Sequence, residues 1–211
     1  MIKEKDKISI PRKSIYRLSI YQRCLQKLRD HGAVTVSSEA LARAAGVKPT
    51  QLRKDLAHFG QLGTRGLGYN VEHLGATLTD VLGSNRLQPV ILIGVGSLGS
   101  ALLRYQGFNK EGFEIVAAFD LFPKAVRGIN GKPPIFHPRE LPEFIRTYGV
   151  KMAILAVPAE SAQLIANEII DAGIQAILNF SPSLLQVDPN QVQVNNVDLA
   201  LELEHLSYFV D

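Results

Sequence analysis

Residues 90–99 read VILIGVGSLG, an apolar run that passes directly into Gly94-x-Gly96-x-x-Gly99. A second apolar run, EIVAAF at 114–119, ends at Asp120, 21 positions after the last glycine. Each part has a physical task in holding a dinucleotide. Gly94 allows a tight strand-to-helix turn, Gly96 lets backbone approach a pyrophosphate, and Gly99 lets the helix pack closely on the strand. The helix that follows turns its unpaired N–H groups and positive dipole end toward the phosphates. Gly94, Val95, Gly96, Ser97, Leu98 and Gly99 are therefore cofactor-binding candidates. Asp120 joins them as an acceptor for the adenosine ribose hydroxyls.

The motif starts at residue 90, so about 85 residues precede it. At 211 residues the chain is long enough for one large domain or two modest ones. With 46% apolar and 20% charged residues it has an ordinary globular composition. No apolar run approaches the roughly 18 residues of a membrane span. The opening MIKEKDKISIPRKS lacks the apolar core of a secretory signal. A cytoplasmic protein without a membrane partner is expected. Cys24 is the single cysteine, which excludes an internal disulfide framework and a cysteine-rich zinc site; its place in an amphipathic helix pattern suits packing. The net charge of +3 is uneven. Residues 1–85 hold 14 Lys/Arg against 7 Asp/Glu, a balance of +7, and residues 86–211 hold 9 against 13, a balance of −4. Only the first part is suited to a polyanion.

In that part, Ile15, Leu18, Tyr21, Leu25 and Leu28 form one stripe of a helix over 13–31. Ser37-Ser38-Glu39 opens a second helix, stopped by Gly46, and Pro49-Thr50 opens a third, QLRKDLAHFG, stopped by Gly60. Two short helices joined by Gly46-Val47-Lys48 have the proportions of a helix-turn-helix. The second presents Gln51, Arg53 and Lys54 near its N-terminal end, where recognition helices reach base edges. Gly63-Thr64-Arg65-Gly66-Leu67-Gly68-Tyr69 then suits a tight hairpin that pushes Arg65 toward a phosphate or a minor groove. A helix-turn-helix followed by such a hairpin is a winged helix. Gln51, Arg53, Lys54 and Arg65 are the DNA-binding candidates, on double-stranded DNA. A helix over 72–83 closes this domain, and 84–89 is a linker.

After residue 90, strands alternate with helices: strand 114–119, a loop, PIFH, helix 138–148, strand MAILAVP, helix 159–172, strand QAILNFSP and a helix over about 198–210. Strands that are nearly all apolar argue a parallel sheet covered on both faces. Val157-Pro158 and Asn179-Phe180-Ser181-Pro182 fall at strand ends where ligands of such sheets collect. Asp198 reads either as a helix N-cap or as a functional carboxylate. The last helix carries Leu199, Leu201, Leu203, Leu206, Phe209 and Val210, apolar on more than one side. Such a surface requires cover, expected from dimerisation, the alternative being burial against its own domain.

An NAD-dependent dehydrogenase would need a general acid or base at the nicotinamide. His31, His58, His73, His137 and His205 form no recognisable pair with a strand-end carboxylate, and about 125 residues leave little room for a substrate domain. No catalytic residue, metal site or protein substrate is expected. Coenzyme A is a second alternative ligand. A carboxylate at 120, with no Arg at 121–123, disfavours a phosphorylated ribose and so both NADP and coenzyme A.

In this order the chain resembles the Rex family of redox-sensing transcriptional repressors. The match is carried by Gln51-Leu52-Arg53-Lys54-Asp55-Leu56, Phe59-Gly60, GTRGLGY at 63–69, GVGSLGSAL at 94–102, Ile177-Leu178-Asn179-Phe180 and Asn196-Val197-Asp198. It runs from about residue 13 to the C-terminus. The resemblance implies a homodimer that binds a palindromic operator without NADH, leaves it when NADH rises relative to NAD, and exchanges its C-terminal helix between subunits. It also implies that Arg23, Tyr105 and Asp198 couple cofactor binding to domain orientation, with Arg23 pairing Asp198 in one arrangement. The expected organisation is a winged-helix domain over 1–85, a Rossmann-like NAD(H)-binding domain over 86–197 and a dimerisation helix over 198–211, an α/β protein overall.

Overall fold

A computed structural model describes residues 10–83, 85–123 and 133–210. Two units, Met1–Arg86 and Leu87–Asp211, each hold their own core. Most of the loop at 123–134 and most of residues 1–12 lie outside the described residues.

The N-terminal unit is built on helix α1 (Arg12–Asp30), whose buried stripe is Leu18, Tyr21 and Leu25 at three- and four-residue spacing. At its N-terminal end the stripe differs from expectation: Ser14 is buried and Ile15 is exposed. The buried seryl Oγ is in use there, accepting from Arg17 Nη2 at 3.0 Å. Strand β1 (Thr35–Val36) follows, then α2 (Ser38–Ala44), capped by Ser37 Oγ accepting from the Ala40 N–H at 3.1 Å. Helix α3 (Pro49–Leu56) starts with proline in its first turn and runs into a 3₁₀ turn, Ala57–Phe59. Strands β2 (Gly63–Thr64) and β3 (Gly68–Asn70) pair antiparallel as the wing hairpin. β1 adds to it, giving a three-stranded sheet of order β1-β3-β2. That third strand is two residues long, too short for alternation to announce it. Helix α4 (Val71–Leu82), capped by Asn70, closes the unit, and half-buried Cys24 packs on the core. Burial pushes the Cys24 thiol pKa up, as suits a packing residue.

The C-terminal unit alternates β4 (Gln88–Ile93), α5 (Ser97–Arg104), α6 (Gly107–Lys110), β5 (Phe113–Phe119), β6 (Ile135–Phe136), α7 (Leu141–Tyr148), β7 (Met152–Leu155), α8 (Ala159–Ala172), β8 (Ala176–Asn179), β9 (Gln193–Asn196) and α9 (Leu199–Ser207). The six strands form one parallel sheet of order β6-β5-β4-β7-β8-β9. Side chains of a strand alternate between faces, so a sheet buried on both sides needs unbroken apolar strands. β4 shows it: Ile91 and Ile93 enter one core cluster, Val90 and Leu92 the other. Gln88 and Pro89 extend this strand into the expected linker. β4 pairs with β5 from Gln88 but with β7 only from Val90, so Pro89 stands where the strand has one neighbour and tolerates its missing N–H. The short edge strands β6 and β9 also went unpredicted. Helix α9 contains no buried residue; Leu199, Leu201, Leu203, Leu206, Tyr208, Phe209 and Val210 are all exposed in the single chain.

Candidate functional sites

The chain order passes outward from β4 in two directions, through β5 to β6 on one side and β7 to β9 on the other. Between the C-terminal ends of β4 and β7 lies the crevice where doubly wound sheets bind ligands. Three glycines shape it, each differently. Gly94 has φ +90°, and a Cβ there would stand 2.4 Å from Ala156 O across the crevice. A Cβ on Gly99 would meet Gly94 O at 2.0 Å, so this glycine seats the helix on the turn. A Cβ on Gly96 would meet nothing within 4 Å among the described residues. Gly96 is thus dispensable for packing and leaves backbone exposed above the crevice.

α5 starts at Ser97 with no side-chain cap, and Gly96, Ser97 and Leu98 are exposed. The first N–H groups of a helix have no intrahelical partner, so the loop offers donors and a positive dipole end to a phosphate. Val95 is buried, and its N–H donates to Asp120 Oδ2 at 2.8 Å while Oδ1 accepts from the Phe122 N–H at 2.9 Å. Asp120 therefore braces the glycine loop against the end of β5. A carboxylate has about four lone-pair directions, so acceptor capacity remains for ribose hydroxyls. These residues fit a dinucleotide.

Val157 is nearly buried, and exposed Pro158 opens α8 at the end of β7. Asn179 is spent internally: fully buried, it accepts from the Ser181 N–H at 3.0 Å and donates to Ser183 O and Asn196 Oδ1, both at 2.8 Å. Its side chain holds the loop at the end of β8 together. Phe180 beside it is half-buried. Tyr105 ends α5, exposed and edge-on to Phe108 with centroids 5.1 Å apart. Asp198 is the N-cap of α9, accepting from the Ala200 and Leu201 N–H groups at 2.9 and 3.1 Å. Arg23 lies on the exposed side of α1 in the other unit.

In the N-terminal unit the structure adds a residue the pattern did not single out. Asp55, on α3, is 1% exposed. Arg17 grips both its oxygens, Nε to Oδ2 at 2.6 Å and Nη2 to Oδ1 at 2.7 Å, and the Tyr21 hydroxyl donates to Oδ2 at 2.8 Å. Burial alone would raise the Asp55 pKa; these donors outweigh it and bring it down to about 2. Desolvation and the neighbouring carboxylate push the Tyr21 phenol well above its ordinary range. Gln51 belongs to this network, donating from Nε2 to Asp55 Oδ1 at 3.0 Å. It lies one helical turn from the buried carboxylate, so the expected base reader is drawn inward. A signal was present, since Gln51/Asp55 and Arg17/Tyr21 are both i, i+4 pairs.

Arg53 is half exposed and bound to α2, donating from Nη1 to Ser38 Oγ at 2.8 Å and Glu39 Oε1 at 3.2 Å. Lys54 and the wing residue Arg65 are exposed. Arg53, Arg65, Ser38, Glu39 and Tyr69 line one cleft between the helices and the wing.

A winged helix joined to a doubly wound sheet with a glycine loop defines a class of nucleotide-responsive DNA-binding regulators. Family models for a "putative DNA-binding protein N-terminus" and a "CoA binding domain" match residues 9–57 and 85–183. The chain is 43% identical over 201 residues to the redox-sensing transcriptional repressor Rex of Pelotomaculum thermopropionicum, covering 95% of this chain and 94% of that one. It is 44% identical to the Rex of Syntrophobacter fumaroxidans, covering 94% and 95%. Among solved structures it is similar to the Rex-family repressor RSP. RSP with β-NAD⁺ and operator DNA matches with TM-score 0.86 and 36% identity, covering 94% of this chain and 91% of that one. RSP with β-NADH matches with TM-score 0.83 and 35% identity, covering 97% and 95%. The chain belongs to the Rex family of redox-sensing transcriptional repressors.

Proposed function

We propose that this chain acts in the cytoplasm as a homodimeric repressor. It holds a palindromic operator through its winged helices and releases it when NADH occupies the crevice between β4 and β7. The observation that carries this reading is the glycine loop: Gly96 leaves its backbone open above the crevice, in a chain whose other unit is a winged helix. RSP, bound to β-NAD⁺ with operator DNA and separately to β-NADH, supports NAD and NADH as the two ligands. Bound NADH differs from NAD by the lost ring charge and altered ring shape. The chain responds only through its differential affinity for the two forms and for the DNA-competent and DNA-incompetent arrangements.

Gly94 through Gly99, with Val157, Pro158 and Phe180, would hold the dinucleotide; Asp120 would accept from the adenosine ribose and repel a 2′-phosphate, favouring NADH over NADPH and coenzyme A. Lys54, Arg53 and Arg65 would meet the duplex, while Gln51 braces the helix that carries the first two. The apolar α9 supports dimerisation by exchange, which would set two recognition helices about 34 Å apart on successive major grooves. Arg23, Tyr105 and Asp198 would carry the coupling.

The test begins with a duplex selected by the protein from a randomised library. NADH titrated into the complex at several NAD concentrations should release it, with more NADH required as NAD rises. Operator binding indifferent to NADH, or released by coenzyme A instead, would overturn the reading.

A further inference from the structure

One polar contact crosses between the exposed surfaces of the two helices of the helix-turn-helix. Arg53 Nη1 donates to Ser38 Oγ at 2.8 Å and to Glu39 Oε1 at 3.2 Å, and Ser38 Oγ donates on to Glu39 Oε1 at 3.3 Å. Nη1 carries two hydrogens, and both are engaged. The Nε and Nη2 groups of Arg53 have no partner among the described residues. A guanidinium offers five donors in a rigid fork. Using Nη1 leaves the Nε/Nη2 edge, whose two parallel N–H groups match guanine O6 and N7.

The side chains of Arg53 and Glu39 are 49% and 61% exposed, and an ion pair so wet adds little to folding stability. Its consequence lies in the cleft it borders, which Arg65 also lines. An untethered arginine there would be drawn to any backbone phosphate, an attraction without sequence information. Tethered, the same arginine has one orientation and a carboxylate at its side. The Glu39 carboxyl is held below the usual range, chiefly by its own backbone N–H, with Arg53 and Ser38 adding to the effect. It is anionic at neutral pH and repels phosphate from that flank.

We propose that Ser38 and Glu39 are positioning residues that determine operator specificity: they hold Arg53 with its Nε/Nη2 edge turned to a base and oppose its capture by the phosphate backbone. The inference rests on the reading of α3 as the recognition helix. Neither residue needs to touch a base.

The experiment uses the full chain, a duplex it selects from a randomised library and a scrambled duplex of the same length and composition, at one salt concentration. Glu39→Gln should leave the melting temperature unchanged and raise affinity for the scrambled duplex. The selected-to-scrambled ratio should fall by about tenfold, within the range of one lost bidentate base contact. Ser38→Ala should shift the ratio in the same direction. In an Arg53→Ala background, which lowers the ratio itself, Glu39→Gln should no longer change it. A ratio that survives Glu39→Gln within about twofold, or falls equally with and without Arg53, overturns the proposal while operator recognition stands. A wild-type chain that selects no sequence overturns the recognition reading and this inference with it.

Discussion

The glycine loop after β4 and helix α3, proposed to meet a dinucleotide and operator DNA, are made by opposite means. The loop works by what it omits. Gly94 and Gly99 bring backbone within distances that a Cβ would forbid, and Gly96 leaves open space. Two side chains brace it at Val95: Asp120 accepts from the N–H, and Ser100 Oγ donates to the carbonyl at 3.1 Å. Helix α3 instead presents side chains already engaged inside the protein: Gln51 with Asp55, Arg53 with Ser38 and Glu39, Asp55 with Arg17 and Tyr21. A loop of missing side chains is specified locally. A helix held by partners up to 38 positions away is specified by the fold of its whole unit.

That contrast should appear most strongly at Asp55. Replacing it with Ala strands Arg17 and Tyr21 in a largely buried site, and breaking such a pair costs about 3–5 kcal/mol. Urea unfolding of the N-terminal unit should register that loss, and operator affinity should fall with it. The wild type should show the same dependence through pH. The folded Asp55 pKa is about 2, against an ordinary value of 3.8. A depressed folded pKa gives stability that is complete above about pH 4 and lost as pH falls toward 2. The contribution is about 2–3 kcal/mol at 1.36 kcal/mol per unit, and Asp55→Asn should remove that part of the acid transition.

The glycines separate packing from ligand approach. Gly99→Ala sets a methyl against Gly94 O and should destabilise the C-terminal unit by about 1–3 kcal/mol, whatever the ligand. Gly96→Ala meets no protein atom. It should leave the melting temperature unchanged while weakening NADH at least tenfold, about 1.4 kcal/mol. A Gly96→Ala chain that binds NADH normally would remove the loop from the nucleotide site.

How legible each region was follows from the same contrast. The glycine fingerprint, Asp120 and the alternation of apolar strands with helices are periodic or local, and α8 falls at 159–172 as the pattern predicts. Strands β1 and β6 are two residues long and leave no periodic trace, while β9 shows only the brief Val192/Val194 alternation before polar Asn195 and Asn196. Gln51 reads from its position as a base reader, because only the folded unit brings Asp55 against Arg17 and Tyr21. Asn179 reads from its place at a strand end as a ligand contact, and only the fold shows that its side chain also ties Ser181, Ser183 and Asn196 together. Polar residues at strand and helix ends announce a site, while their partners decide whether they serve it.

Asp120 sharpens the comparison further, since its carboxylate ties the end of β5 to the glycine loop. Asp120→Ala should weaken NADH and narrow its preference over NADPH, by about tenfold if one charge-assisted hydrogen bond to the ribose is lost. Parallel titrations of wild type and variant with both nucleotides decide this, and a wild type that binds NADPH as well as NADH refutes the assignment. The smallest effect belongs to Asp198. Asp198→Ala removes a helix cap worth about 0.5–2 kcal/mol, whereas Asp198→Asn keeps a capping oxygen and removes the charge. Asp198→Asn should preserve dimerisation in sedimentation and reduce the factor by which NADH weakens operator affinity. An unchanged factor would place the coupling elsewhere.

If nucleotide and operator oppose each other through one equilibrium of this chain, as proposed, linkage makes the test direct. Operator affinity is measured with and without saturating NADH, and NADH affinity with and without saturating operator duplex. Two equal factors are expected, each corresponding to a coupling of about 1–3 kcal/mol, or roughly 5- to 150-fold. NADH affinity that is the same on free and operator-bound protein would contradict it.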